Sequence, residues 1–292
     1  MKKNYIIIPT YNDWKSLNKV LRLLDENLKN STNSINIIIV NDCSSQNFKL
    51  KKKKFKNINS LKIINLKENV GSQKAIFIGL KYLQKKIKLN NSQDIISVLD
   101  SDGEDNPKML KKLIELAIQK KDYFIFASRK ERTEGIFFKL ANKIRLYISF
   151  ILTGKFINFG NYSSFPSVVL KKILLNNNLY LAYSSGVLKN YKKIFLFDIK
   201  KNKRYFGHSK VNFKFLINHS IMIISVFYKV VFFRTLVISL ILLLYLTNLY
   251  LKIFLIFVFI IFNLILLILN KFSKPKGNNL NIIKNIKLIF RS

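Results

Sequence analysis

The sequence predicts a doubly wound α/β domain with a mostly parallel sheet, followed by an interfacial helix and two transmembrane helices. Short apolar runs alternate with stretches of helical periodicity through the first 130 residues, which is typical of alternating strands and helices. The apolar runs contain few polar residues, as in strands buried on both faces of a sheet. The membrane part is predicted by residues 235–269, where Lys252 is the only charged residue.

Five segments of the first domain are predicted as strands: 5–8, 35–40, 61–66, 95–99 and 123–127. The helix between the first two strands has apolar residues at helical spacing over 17–28, and Asn12 or Asp13 is placed to cap it. A second helix is expected after Gly71. A third is expected from Pro107, because proline is favoured in the first turn of a helix.

The following region is expected to contain helices at 136–152 and 166–175 and short strands at 195–198 and 204–207. Residues 213–233 are apolar with scattered basic residues, which favours a helix at a membrane interface. A single helix over 235–269 would be about 52 Å long, whereas the hydrocarbon core is about 30 Å thick. We therefore expect a hairpin of two spanning helices that turns at 248–252.

Basic residues flank this hairpin on both sides, so the positive-inside rule predicts that both flanks and the catalytic domain face the cytoplasm. This makes the chain a multi-pass protein of the cytoplasmic (inner) membrane. The N-terminal apolar run is too short for a signal peptide and is broken by Pro9. The predicted boundaries are 1–210 for the cytoplasmic domain, 211–234 for the interfacial segment, 235–270 for the hairpin and 271–292 for a basic cytoplasmic tail. Residues 280–290 of this tail are expected to lie along the membrane surface.

The chain is strongly basic, with 51 Lys and Arg against 15 Asp and Glu and a net charge of +36. Such a charge first suggests nucleic acid as a partner. However, the bases are mostly lysine and the C-terminal third is intensely apolar, so we expect attraction to anionic lipid rather than to nucleic acid. The single cysteine, Cys43, excludes a disulfide within the chain.

One short segment reverses this basic character. Four acids lie within six positions directly after the predicted fourth strand: Asp100, Asp102, Glu104 and Asp105. Crowded carboxylates at a strand end repel one another unless a cation neutralises them. Hard oxygen ligands suit Mg²⁺ or Mn²⁺, usually shared with a phosphate. The segment therefore predicts a divalent metal site at the carboxyl edge of the sheet.

The other strand ends also carry polar residues, which should meet at the same edge. Taken in chain order, the motifs resemble those of family 2 glycosyltransferases with the GT-A-type fold, in particular the dolichyl- and undecaprenyl-phosphate sugar synthases. The matching segments are Pro9-x-Tyr11-Asn12-Asp13, Val40-Asn41-Asp42-Cys43-Ser44, Asn69-x-Gly71, Asp100-Ser101-Asp102, Ser128-Arg129 and Arg204-x₂-Gly207-x-Ser209-Lys210.

The resemblance implies a UDP- or GDP-sugar donor, a polyprenyl phosphate acceptor and a membrane location. The residues implied to bind the nucleotide-sugar are Pro9, Thr10, Tyr11, Asp13, Asp42, Ser44, Gly71, Asp100, Ser101 and Asp102. Asp100 and Asp102 would hold the metal, with Glu104 as a third candidate ligand. The residues implied for the acceptor phosphate and its lipid side are Arg129, Lys139, Arg204, Ser209 and Lys210. Of all these, Asp102, Arg129 and Lys139 are the candidate catalytic residues.

The sequence departs from the resemblance at 158–163, where relatives carry an Asp and an Arg in D-x-G-x-F-R. Moreover, no Asp or Glu occurs between Glu134 and Asp198 or after Asp198. A sugar hydroxyl acceptor normally needs a general base, whereas a phosphate monoester is already largely ionised. We therefore expect transfer of the sugar to a lipid phosphate with inversion of configuration. Asp198 and Asp105 remain possible general bases.

Two alternatives remain open from the sequence. The enzyme could instead glycosylate a hydroxyl of a glycolipid or saccharide in cell-envelope polysaccharide synthesis, or the chain could be a membrane scaffold with a degenerate nucleotide-sugar pocket. The sugar, the nucleobase, the lipid length and a homo-oligomeric state are not specified by the sequence.

Overall fold

The computed structural model describes residues 2–29, 33–46, 55–89, 94–129, 136–200, 202–207, 213–272 and 280–291. The chain divides into two compact units. The first comprises Met1–Arg132, Phe159–Lys210 and Lys276–Ser292, and the second comprises Thr133–Asn158 and Val211–Pro275.

Eight strands of the described chain form one mixed sheet in the first unit. They are β1 (Lys3–Thr10), β2 (Ser34–Asn41), β3 (Ile58–Leu66), β4 (Ile95–Val98), β5 (Phe124–Arg129), β6 (Phe159–Pro166), β7 (Ile194–Ile199) and β8 (Ile283–Arg291). Their order across the sheet is β7-β5-β6-β4-β1-β2-β3-β8. Strands β4, β1, β2 and β3 are parallel, and β6 and β8 run antiparallel to their neighbours.

Nine α-helices occur in the described chain. They are α1 (Trp14–Asn27), α2 (Ser72–Lys86), α3 (Leu110–Gln119), α4 (Ile136–Thr153), α5 (Leu170–Ile173), α6 (Tyr183–Asn190), α7 (Phe213–Val226), α8 (Tyr228–Tyr245) and α9 (Leu249–Phe272). Helices α1 and α3 pack on one face of the sheet, and α2, α5 and α6 pack on the other, so that two hydrophobic cores form. This arrangement confirms the predicted doubly wound α/β fold.

Helix α2 lies close against the sheet because it carries glycine at the contact. A Cβ atom built on Gly79 would lie 2.9 Å from Ile7 Cγ2 and 3.0 Å from Val40 Cγ2. These two side chains come from the adjacent parallel strands β1 and β2 and are completely buried. The absence of a side chain at position 79 therefore sets the distance between helix and sheet.

The five predicted strands correspond to β1–β5, and the expected short strand at 195–198 corresponds to β7. The expected strand at 204–207 is wrong, because the described residues there form bends. The helix expected at 166–175 is only partly present, since a 3-10 turn precedes the four-residue α5. Strand β6 was not predicted, because its serine- and asparagine-rich sequence lacks an apolar pattern.

The C-terminal segment differs from the expectation that it lies along the membrane surface. Residues Ile283–Arg291 instead form β8, which pairs antiparallel with β3 at the edge of the sheet. Ile283 packs against one core, and Ile289 and Phe290 pack against the other. The mixture of apolar and lysine residues in this segment therefore belongs to an edge strand.

The second unit contains α4, α7, α8 and α9. Helices α8 and α9 are both long and apolar enough to cross a membrane, and little of either is buried. The turn between α8 and α9 lies at Leu246–Asn248, earlier than the predicted 248–252. It ends there because the Asn248 side chain accepts hydrogen bonds from the N–H groups of Tyr250 (2.9 Å) and Leu251 (3.2 Å) at the start of α9. The interfacial helix expected at 213–233 ends earlier, because a break at Phe227 separates α7 from α8.

The close contact at Gly79 gives a stability prediction. Replacing Gly79 with valine should lower the free energy of unfolding by about 2–3 kcal/mol, because the added methyl groups overpack Ile7 and Val40. The measurement is thermal unfolding followed by the fluorescence of the single tryptophan, Trp14, which is buried in this unit. Lys85→Val at an exposed position of α2 controls for the cost of a β-branched residue in a helix; equal effects of the two changes would contradict the packing argument.

Candidate functional site

The carboxyl ends of β1, β2 and β4 meet at one edge of the sheet. The parallel register pairs Thr10 with Asn41, and the N–H of Asp42 donates to Thr10 O at 2.9 Å. On the other side of β1, the N–H of Leu99 donates to Ile7 O at 3.3 Å. The polar segments that follow these strands are therefore brought together, as the sequence predicts.

Asn12 joins the loop after β1 to the loop after β2. Its backbone has a positive φ of 51°, a conformation that asparagine adopts more readily than most residues. Its N–H donates to Ser44 Oγ at 2.9 Å, and its Oδ1 accepts from the N–H of Gln46 at 3.2 Å. The loop is thereby fixed with Tyr11 about 40% exposed beside it. An exposed aromatic ring at this edge can stack on a planar ligand.

Asp42 acts as a clamp within the protein. It is only 2% exposed, and its two carboxylate oxygens accept from the N–H groups of Val70 (2.7 Å) and Gly71 (2.8 Å). Burial raises the pKa of Asp42, and these two hydrogen bonds and Lys74 oppose that rise. The bonds hold Gly71, with its positive φ of 88°, at the start of α2.

Asp105 organises the acidic segment after β4. It is 1% exposed, and its Oδ2 accepts from the N–H of Asp100 at 3.0 Å. The turn is closed further by Asp102, whose Oδ1 accepts from the N–H of Glu104 at 2.9 Å. Two of the four acids thus bond to the backbone of their own turn.

Arg204 connects this turn to the loop after β1. Its Nη1 lies 3.0 Å from Asp102 Oδ2, and its Nη2 pairs with Asp13 Oδ2. Asp13 stands at the N-cap position of α1 but makes no side-chain capping bond, so the predicted cap is absent and its carboxylate serves Arg204 instead. One guanidinium therefore neutralises two carboxylates that come from different strand ends.

The pKa of Asp102 shows how crowded the site is. Burial is the largest cause and the Asp105 carboxylate the second, and together they raise the pKa of Asp102 to about 6. The hydrogen bond from Glu104 N and the charge of Arg204 act in the opposite direction. A further cation beside Asp102 would favour its ionised form.

The segment that carries Arg204 packs directly on the acidic turn. The N–H of Tyr205 donates to Asp102 O, and the N–H of Asn202 donates to Glu104 O, both at 3.0 Å. A Cβ atom on Gly103 would lie only 2.2 Å from Cδ2 of the Tyr205 ring. Glycine at position 103 is therefore required for this contact, in addition to its positive φ of 86°.

Asn161 of β6 contacts the first acid of the turn. The antiparallel register pairs Val98 of β4 with Ser163, so that two residues further along Asn161 lies beside Asp100. Its Nδ2 donates to Asp100 Oδ1 at 3.4 Å, and its Oδ1 accepts from Gln73 Nε2 at 3.0 Å. The segment in which the sequence departs from its resemblance thus contributes an amide to the acidic site.

The acids of the site suit a cation that is shared with a phosphate. Among the described residues, no three His, Cys, Asp or Glu side chains are grouped so that they could enclose an ion, and the expected trio of Asp100, Asp102 and Glu104 is not brought together. Mg²⁺, however, is usually held by one or two carboxylates plus substrate phosphates. Asp100 and Asp102 supply such a pair of hard oxygen ligands.

The predicted nucleotide-sugar residues all lie at this edge: Pro9, Thr10, Tyr11, Asp13, Asp42, Ser44, Gly71, Asp100, Ser101 and Asp102. Thr10 Oγ1 is buried with no hydrogen-bond partner among the described residues. Arg204 was expected on the acceptor side, and the structure pairs it with Asp13 and Asp102. Arg129 ends β5 and Lys139 lies in α4, but their side chains, like all of Ser209 and Lys210, lie outside the described residues.

The two acids left open as general bases differ in their surroundings. Asp105 is buried and bonded to the turn, so it is not available to an acceptor hydroxyl. Asp198 is exposed on β7, which is three strands away from β4. At a strand spacing of about 4.8 Å, this separation is about 14 Å.

Sequence reasoning missed Gln73 and Asn161, which join α2 and β6 to Asp100. Gln73 gives no signal of its own, because a glutamine in the first turn of a helix is common. The signal for Asn161 was the replacement of charged residues at 158–163, which indicated a changed site without giving its contacts.

The chain matches known proteins over most of its length. The model of the family described as "Glycosyl transferase family 2" matches residues 5–175, more than half of the chain. Curated relatives named undecaprenyl-phosphate 4-deoxy-4-formamido-L-arabinose transferase occur in Photorhabdus laumondii subsp. laumondii (26% identical over 226 residues) and Salmonella choleraesuis (27% over 225 residues). Both matches cover 75% of this chain, which spans 66% and 65% of the relatives' lengths.

Solved structures support the same fold. Glucosyl-3-phosphoglycerate synthase from Mycobacterium tuberculosis, crystallised with Mn²⁺, UDP and glucosyl-3-phosphoglycerate, superposes with a TM-score of 0.54 at 12% identity. The match covers 78% of this chain and 79% of that one. The family match, the strand-end residues and this fold lead to one conclusion: the chain belongs to glycosyl transferase family 2.

Proposed function

We propose that the protein is an inverting glycosyltransferase that moves a sugar from a UDP- or GDP-sugar to a membrane polyprenyl phosphate. The observation that carries this proposal is the meeting of Asp13, Asp100 and Asp102 at one sheet edge, in a family 2 chain that also has two apolar helices. The named activity of the curated relatives supports a polyprenyl phosphate acceptor.

The donor is proposed to bind across the ends of β1, β2 and β4. Tyr11 offers an exposed ring to the base. The same loop carries Asp13 and the buried Thr10 hydroxyl, which has no hydrogen-bond partner in the described part of the chain. Asp100 and Asp102 would hold Mg²⁺ or Mn²⁺ together with the donor diphosphate. The cation, when bound, neutralises the diphosphate and the negative charge that develops on the leaving group.

The acceptor is proposed to be a phosphate because neither of the two candidate bases, Asp105 and Asp198, is well placed in the described part of the chain. Asp105 is buried and bonded, and Asp198 lies about 14 Å across the sheet from β4. A phosphate monoester has a second pKa of about 6 and attacks without deprotonation by the enzyme. Its path is proposed to be lined by the basic residues Arg129, Lys139 and Lys210 and by the hydroxyl of Ser209.

The membrane location is proposed from the second unit. Helix α8 has 18 residues and α9 has 24, which correspond to about 27 and 36 Å and match a hydrocarbon core of about 30 Å. Their side chains are largely exposed, unlike those of core helices in soluble proteins. From the basic residues at both ends of this hairpin, we propose a multi-pass membrane protein whose family 2 domain faces the cytoplasm.

Arg204 is proposed to act as the counter-ion of the site before the donor binds. In that state it neutralises Asp13 and Asp102, which are only 11% and 19% exposed. A bound cation would take over this role at Asp102. The guanidinium would then be able to pair with the donor diphosphate, because guanidinium and phosphate match in geometry and charge.

The first prediction that tests the proposed function concerns Asp102. Asp102→Asn should lower sugar transfer by at least about 100-fold, since removing one charged group that stabilises a transition state costs this much. Transfer is measured with radiolabelled UDP- and GDP-sugars and undecaprenyl phosphate in detergent, and the lipid product should be labile to mild acid. Asp122→Asn, at an exposed ion pair with Lys193, is the matched control and should leave transfer unchanged.

Three results would contradict the proposal. Sugar transfer by Asp102→Asn at the wild-type rate would show that Asp102 has no role in the reaction. Label in an acid-stable glycolipid would favour the hydroxyl acceptor. Cation-dependent binding of the nucleotide with no transfer from any donor would favour the non-catalytic scaffold.

The second prediction concerns Arg204. Arg204→Met should lower the free energy of unfolding by about 1–3 kcal/mol, because two partly buried carboxylates lose their shared partner. Adding Asp13→Asn should recover part of that loss, since the two sites are coupled. Unfolding is followed by Trp14 fluorescence, with Arg22→Met at an exposed position of α1 as the control. A loss no greater than that of the control would show that the ion pairs are unimportant.

A further inference from the structure

The side chains of Gln73, Asn161 and Asp100 form a hydrogen-bonded relay that begins at a backbone group. The N–H of Tyr183, at the start of α6, donates to Gln73 Oε1 at 2.7 Å. Gln73 Nε2 donates to Asn161 Oδ1 at 3.0 Å, and Asn161 Nδ2 donates to Asp100 Oδ1 at 3.4 Å. The relay therefore connects three elements, α6, α2 and β6, to the acidic turn.

The first bond fixes the direction of the whole relay. A backbone N–H can only donate, so the Gln73 atom that it meets must be the amide oxygen. The Gln73 nitrogen must then face Asn161, which must present its own oxygen to Gln73. Only the Asn161 nitrogen remains for Asp100. The orientations of both amides thus follow from one backbone donor and do not depend on separate assignments.

Buried contacts also hold the Asn161 backbone in place. The Ser163 hydroxyl donates to Asn161 O at 2.9 Å, and the Tyr183 hydroxyl lies 2.8 Å from Ser163 Oγ. Because Ser163 already donates its proton to Asn161, Tyr183 must donate to Ser163. Both Ser163 and Tyr183 are completely buried, and Asn161 is 9% exposed. The amide that reaches Asp100 is therefore supported from two sides by the same residue, Tyr183.

We propose that Gln73 is a positioning residue that holds the Asn161 amide with its donor toward Asp100, and so orients this carboxylate toward a cation-bound nucleotide diphosphate. The inference rests on the proposed function for the identity of that ligand. Gln73 touches neither the donor nor the cation in this scheme, and it acts through Asn161.

The test replaces Gln73 with glutamate, which has the same shape but no amide donor. The Tyr183 N–H keeps an acceptor, but the second carboxylate oxygen must accept from Asn161. The Asn161 amide then turns over and presents its oxygen to the Asp100 carboxylate, which repels it. Gln84→Glu on the same helix α2 is the matched control, since Gln84 accepts a hydrogen bond from Lys81 and takes no part in the relay.

The first measurement needs no ligand and uses the full chain in detergent. Gln73→Glu should lower the melting temperature by about 3 °C, and adding Asp100→Asn should restore most of it, because an amide at position 100 can donate to the reversed Asn161. Residues 73 and 100 are joined only through Asn161 in this relay. A double-mutant cycle of Gln73→Glu and Asp100→Asn therefore measures coupling through the relay. A purely local defect at Gln73 would instead give additive changes in melting temperature.

The second measurement is the binding of UDP and GDP at increasing Mn²⁺. For Gln73→Glu, the Mn²⁺ concentration that gives half-maximal nucleotide binding should rise about tenfold, corresponding to about 1.4 kcal/mol. Gln84→Glu should match the wild type in both measurements. Additive changes in melting temperature for the two substitutions, or an unchanged Mn²⁺ requirement, would overturn the proposed positioning role.

These outcomes separate the relay from the proposed function. If the coupling and the Mn²⁺ shift are observed but the wild type transfers no sugar to polyprenyl phosphate, the relay stands and the proposed acceptor is wrong. If the wild type transfers sugar while Gln73→Glu behaves like Gln84→Glu, the function stands and the relay is wrong. If the wild type binds neither nucleotide with Mn²⁺, both are wrong.

Discussion

The crowding of four carboxylates after β4 is the constraint on which the rest of the site depends. Like charges at this spacing repel one another and resist burial, so each acid needs its own partner. Asp105 accepts a backbone N–H, Asp102 pairs with Arg204 and with the N–H of Glu104, and Asp100 contacts Asn161. Two of these partners, Arg204 and Asn161, come from distant parts of the chain. The acidic turn therefore determines which segments must gather at this edge.

The antiparallel strand β6 is what allows the second half of the chain to reach the turn. It lies between β4 and β5 and runs antiparallel to both. Its buried face pairs Ser97 with Ser164 through a hydroxyl contact of 2.7 Å, which explains why a strand rich in serine is stable in the sheet. The same register then places Asn161 beside Asp100. A parallel strand in this position would have presented its opposite end to the acids.

The sequence predicted the strand ends and their residues well, because burial on both faces leaves a local apolar pattern in β1–β4. It could not predict Arg204 beside Asp13, since the two residues are 191 positions apart and no periodicity connects them. It missed β6 because serine hydroxyls that pair inside a sheet look polar in the sequence. The sequence misplaced residues 280–290, because a mixture of apolar and lysine residues suits both a membrane surface and an edge strand. Long-range pairing decided between these two structures.

Asp42 shows why motif residues and ligand contacts must be distinguished. The resemblance assigns it to the donor, yet both of its oxygens hold the backbone that leads into α2. That backbone starts the helix whose second residue is Gln73, and Gln73 in turn orients Asn161 toward Asp100. The clamp and the relay are therefore consecutive parts of one arrangement. A change at Asp42 should move the acidic turn through α2, even where it removes no direct contact with a ligand.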